Sequence, residues 1–143
     1  MKVVLFLSLF LSTELFANTI TGRWITYDDQ SNQANSVINI QFNDRYFTGT
    51  IVELINPSVS DPVCERCMAP LKNQPIIGLE IFSKLSKDKK KYKGGKILDP
   101  SNGKYYSLII EHTDRNTLHV TGYVGFSFLG RTQIWRRQTP LTK

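Results

Sequence analysis

From Ile20 to Arg137 apolar and polar residues alternate in short runs, and each run stops at a turn signal. No stretch sustains the 3.6-residue period of an amphipathic helix; a short helix through Leu79, Phe82 and Leu85 is the one local rival. Period-two alternation marks strands with one buried face, so the chain reads as all-β. Ile20 to Tyr27 is the first strand, followed by a polar loop from Asp28 to Asn35. Val37 to Phe42 and Tyr46 to Leu54 form a hairpin about Asp44-Arg45. In that register Ile38, Ile40, Phe42, Phe47, Gly49 and Ile51 share an apolar face.

A long connection, Ile55 to Pro75, precedes a strand from Ile76 to Phe82 and a lysine-rich stretch that ends at Gly94-Gly95. Strand resumes at Ile97-Leu98, and Asp99 to Gly103 is a strong turn. Lys104 to His112 and Thr117 to Phe128 form the next hairpin, where the register decides a functional question. A two-residue turn would put His112 and His119 on one face as a metal pair, but it mixes polar and apolar residues. A three-residue loop, Asp114-Arg115-Asn116, aligns Tyr106, Leu108 and Ile110 with Leu118, Val120 and Gly122. That register separates the two characters, so each histidine is read as a surface or rim residue and no metal site is assigned. Leu129-Gly130 turns the chain into a last strand, Arg131 to Arg137. About eight strands with mostly short turns favour a closed antiparallel up-and-down barrel over a β-sandwich, because closure removes unprotected edges.

The 143 residues allow one domain. Lys2, the apolar run Val3 to Leu11 and the small residue Ala17 read as an export signal over residues 1–17. The run is well short of the ~20 residues needed to span a bilayer. Residues 18–143 are then a single barrel domain, periplasmic or secreted and not membrane-spanning once cleaved. In an oxidising compartment Cys64 and Cys67 read as a disulfide within a proline-bounded loop. A thiol-exchange motif needs a helix after the first cysteine, which Pro70 disfavours, and zinc needs two further ligands.

Gly22-Arg23-Trp24, Gly49-Thr50-Ile51-Val52-Glu53, Cys64-Glu65-Arg66-Cys67 and Gly94 to Pro100 occur in order. Gly103 to Tyr106, Gly122 to Gly125 and Leu129 to Arg136 complete the set. Taken together they resemble the bacterial domain-of-unknown-function family 2147 over nearly the whole exported part. The resemblance implies an exported, lipocalin-like barrel and supplies no catalytic residues. Gly22-Arg23-Trp24 is also similar to the opening Gly-x-Trp of lipocalins, whose last strand sets a basic residue over the indole. Arg131 or Arg136 is the candidate for that place.

With a tight Leu129-Gly130 turn, Arg131, Gln133 and Trp135 share the face of Phe126 and Phe128, and closure brings Trp24 beside Trp135. An apolar barrel with a guanidinium and an amide at one end suits a small hydrophobic or amphiphilic ligand with an anionic head. Arg131 has a structural use as well, packing on Trp24 and pairing with Asp99 or Glu53. The net charge of +6 is concentrated in Lys84 to Lys96. Lys87, Lys89, Lys90, Lys91 and Lys93 form a basic patch, either a solvated hairpin tip or a contact for an anionic envelope component. Nucleic acid is disfavoured, because Tyr92 is the only aromatic residue in that run. No nucleophile elbow, nucleotide loop or EF-hand spacing occurs, so no enzyme and no cofactor is assigned.

Overall fold

A computed structural model describes residues 19–139, and the export signal read over residues 1–17 lies outside them. The strands are β1 (Gly22–Tyr27), β2 (Ala34–Phe42), β3 (Phe47–Leu54), β4 (Glu80–Asp88), β5 (Lys91–Asp99), β6 (Lys104–Asp114), β7 (Thr117–Tyr123) and β8 (Arg131–Arg137). Each pairs antiparallel with the next, and β8 pairs back onto β1 through Trp24 with Arg137 and Ile25 with Arg136. The sheet is a closed up-and-down barrel.

Both hairpin registers follow from segregating apolar side chains. In the first, Phe42 faces Phe47, Ile40 faces Gly49 and Ile38 faces Ile51. In the second, Ile110 faces Val120 and Leu108 faces Gly122. The inward residues Trp24, Ile38, Ile40, Phe82, Leu85, Tyr92, Leu108, Ile110 and Leu118 are almost wholly shielded from solvent. Gly49 belongs to this packing, since the Phe82 ring occupies the space a side chain at position 49 would need.

The lysine-rich segment departs from the sequence reading. It is two full strands, β4 and β5, joined at Lys89-Lys90, whereas Ile77 lies in the preceding connection and is exposed. The alternation is hidden by two irregularities. Lys84 takes a left-handed conformation at φ 59°, and Gly94 does so at φ 92° opposite it. Gly95 passes so close to β4 that a Cβ there would stand 2.6 Å from the Ser83 carbonyl oxygen. Leu85 and Tyr92 still turn inward, and Lys87, opposite Tyr92, lies over its ring at the end of the barrel. The strand expected to run to Phe128 ends at Tyr123, and a 3-10 turn, Ser127–Leu129, follows.

Antiparallel succession gives the barrel two unlike ends. The approach to β1, the short turns β2–β3, β4–β5 and β6–β7, and the end of β8 share one. The loop β1–β2, the long connection β3–β4, the turn β5–β6 and the loop β7–β8 share the other. The connection β3–β4 is braced by the Cys64–Cys67 disulfide and by a short bridge between Val63 and Pro75. It leans on the β5–β6 turn, where the Arg66 carbonyl sits against Gly103. Among the described residues no helix is long and apolar enough to cross a membrane.

Candidate functional site

One end of the barrel is sealed by the chain itself. The Trp24 indole N–H donates to the Ile20 carbonyl at 2.8 Å, which folds the segment before β1 under the barrel. Arg137 lies over the same indole, its guanidinium carbon 4.2 Å from the ring centroid. It donates to the carbonyls of Thr21 at 2.9 Å, Thr19 at 3.3 Å and Arg115 at 2.8 Å. Gly22 makes room for it: its φ is +117°, and a Cβ there would stand 2.8 Å from the Arg137 Nη1. The basic residue over the tryptophan is therefore Arg137, and neither Arg131 nor Arg136. Inward-facing residues of β8 have odd numbers, so Arg136 points outward and bonds the Thr117 hydroxyl at 2.7 Å. Arg131 is at the opposite end of the strand.

His112 completes the seal, contrary to its reading as a surface or rim residue. It faces inward opposite Leu118, edge-on to Trp24 with centroids 6.2 Å apart, and its Nε2 is buried without a hydrogen-bond partner. Burial holds its pKa below the ordinary 6.5, and the Arg137 charge pushes the same way. His119 pairs with Glu111 on the outer face. Among the described residues no three metal-ligating side chains converge.

The other end carries a polar cluster. Arg131, Gln133 and Trp135 lie on the inward face of β8, opposite Gly122, Val120 and Leu118. Trp135 is buried and donates its indole N–H to Gln133 Oε1 at 3.2 Å. Gln133 Nε2 in turn donates to Asp29 Oδ2 at 3.0 Å, and Arg131 reaches the same oxygen at 2.8 Å. Asp29 comes from the β1–β2 loop, and Arg131 thus pairs with it and not with Asp99 or Glu53. Glu53 instead holds Arg23 on the outer wall. Thr26 and Ser36, their hydroxyls 2.7 Å apart, add a second buried polar contact on the inward face. The β1–β2 loop is ordered by Asp28, whose Oδ1 accepts from the backbone of Gln30 and Ser31 and from the Ser31 hydroxyl. These bonds lower the Asp28 pKa, that from the Ser31 backbone foremost. A cleft of about 500 Å³ flanks the loop, lined by Asp28, Ser31, Gln33, Ala34, Asn35, Ile55 and Asn56.

The sequence-picked residues divide accordingly. Arg131 and Gln133 stand together at this end, whereas Trp135, buried opposite Leu118, lies deeper toward the plug on the strand next to Trp24. Phe126 and Phe128 are in the β7–β8 loop, 66% and 80% exposed, with their rings stacked at 5.5 Å. The turn is not tight, so they do not extend the face of β8. Asp29 escaped sequence reasoning, as a loop acid far from its partners in the chain has no local signal. In the basic patch, Lys91 pairs with Glu111 and Lys93 with Asp88, while Lys87 lies over the Tyr92 ring. Lys89 and Lys90 form the turn.

Comparison with known proteins agrees with this architecture. A solved structure of protein HP1028 from Helicobacter pylori, described as belonging to the lipocalin family, superposes with a TM-score of 0.74 at 22% identity. The match covers 85% of this chain and 84% of that one. No curated protein sequence matches. A family model described as an uncharacterised protein conserved in bacteria matches residues 22–137, from the glycine before Trp24 to the arginine above it. This chain belongs to the bacterial domain-of-unknown-function family 2147.

Proposed function

We propose that this protein is exported after cleavage of residues 1–17 and binds a small hydrophobic or amphiphilic molecule at the barrel end away from the Trp24–Arg137 plug, without catalysis. The reading is carried by the asymmetry of the two ends. One is plugged by Trp24, Arg137 and Ile20, while the other gathers Arg131 and Gln133 on the inward face of β8, with Trp135 buried below them and Phe126 and Phe128 exposed in the β7–β8 loop. An apolar tail gains about 25 cal/mol for each Å² it buries against Trp135 and its neighbours. The guanidinium and amide suit an anionic head. The Cys64–Cys67 disulfide fits an oxidising compartment.

Native mass spectrometry of gently purified protein, with tryptophan fluorescence titrations against dodecanol and dodecanoate, tests the proposal. Saturable binding of either probe supports it. No retained mass and no fluorescence change with either one overturns it.

A second reading is favoured by charge placement. At the sealed end the β4–β5 hairpin tip carries Lys87, Lys89, Lys90, Lys91 and Lys93 against Asp88. Such a face suits an anionic envelope polymer, in which case glutamine at Lys87, Lys89, Lys90 and Lys91 weakens envelope association in low salt.

A further inference from the structure

The polar cluster already contains an anion, and it belongs to the protein. The single oxygen Oδ2 of Asp29 accepts from both Arg131 and Gln133, at 2.8 and 3.0 Å, and Gln133 is itself oriented by the Trp135 indole. A guanidinium and an amide converging on one carboxylate oxygen are the contacts that a carboxylate, sulfate or phosphate head would make. We infer that Asp29 is a resident stand-in for the head of an anionic single-chain amphiphile, which binds by displacing it. The inference rests on the proposed binding at this end of the barrel and adds ligand class and mode of entry to it.

Three features support exchange over a fixed structural pair. Asp29 lies in a loop and not in a strand, so releasing it breaks no ladder hydrogen bond. The neighbouring Asp28 holds the loop's own turn through Gln30 and Ser31, so the loop keeps its shape when Asp29 lets go. The cleft of about 500 Å³ beside the loop leaves it room to shift. An uncharged amphiphile cannot take the place of the carboxylate and leaves the latch shut. Asp29 thereby competes with anionic ligands for Arg131 and Gln133, and removing it frees both groups.

The experiment compares dodecanoate and dodecanol binding to the full exported chain and to Asp29→Ala, by Trp fluorescence and calorimetry. Asp29→Ala is expected to tighten dodecanoate at least five-fold and to leave dodecanol within two-fold. Adding Arg131→Gln to Asp29→Ala is expected to cancel the gain. Circular dichroism confirms that each variant is folded, and Asp29→Asn provides a milder replacement if the alanine variant is not. An unchanged dodecanoate-to-dodecanol ratio, with both probes bound, overturns the inference and leaves the binding reading standing. Failure of the parent and both variants to bind either probe overturns the two together.

Discussion

The guanidinium of Arg137 lies 4.2 Å above the Trp24 indole, and its N–H groups reach three backbone carbonyls from two different segments. One side chain thereby ties the last strand, the segment before the first strand and the β6–β7 turn into one plug. A cation over an indole contributes about 0.5 to 2 kcal/mol. Hydrogen bonds from a charged donor add roughly 1.5 to 3 kcal/mol. Arg137→Ala should therefore cost about 3 kcal/mol, seen as a melting temperature lower by roughly 10 °C. Arg137→Lys keeps the charge and loses the fork, so it should recover less than half of this. A melting temperature unchanged in the alanine variant contradicts the assignment.

His112 makes the plug sensitive to acid. Its folded pKa lies below the ordinary 6.5, first because of burial and then because of Arg137. The unfolded chain thus binds a proton more readily than the folded one. The neutral histidine's contribution is complete above about pH 6.5 and is lost as pH falls toward the depressed native value. Asp28 and Asp114, both lowered from 3.8, lose theirs only in a more acidic window. Denaturant unfolding between pH 7.5 and 5 should show parent stability declining and His112→Gln nearly flat. Parallel curves for the two proteins would falsify this.

Gly49 tests the packed interior. The Phe82 ring occupies the position of any side chain there, so Gly49→Val must displace an aromatic ring in a close-packed layer. The expected cost is about 1 to 3 kcal/mol by urea unfolding. Gly49→Val with Phe82→Leu should recover part of it, whereas equal losses in the single and double variants would show that the two sites are independent.

The disulfide should matter locally. Cys64 and Cys67 are three positions apart, and so small a ring restricts the unfolded chain little. Reduction or Cys64→Ser with Cys67→Ser is expected to lower stability by about 2 kcal/mol or less. Proteases should then cut between β3 and β4 first, while far-ultraviolet circular dichroism is kept. Loss of the whole β signal on reduction would assign the bridge a global role.

Sequence patterning made the two hairpins with clean registers readable, because a one-residue slip would have turned Ile38, Ile40, Ile51, Leu108, Ile110 and Val120 outward. It misplaced β4 and β5, where the irregularities at Lys84 and Gly94 break the alternation. The plugging arginine was missed by one residue. Trp135 and Arg137 share parity and Arg136 does not, and that was the available signal once β8 was known to bring Trp135 inward. The Asp29 pairing was beyond reach: it joins Asp29 to Gln133, 104 positions away, across the seam between β1 and β8. Nothing in a polar loop tells which acid will meet which base across such a distance.

That seam also sets an order of events. The register pairs that shut the barrel join Trp24 to Arg137 and Ile25 to Arg136, contacts between opposite ends of the domain. A nascent chain delivered amino end first offers β1 one partner, β2, and must keep its other edge bare until residue 137 arrives. Trp24 then stays unsheltered through nearly the whole of synthesis, and the sheet closes on itself only when the last strand is complete.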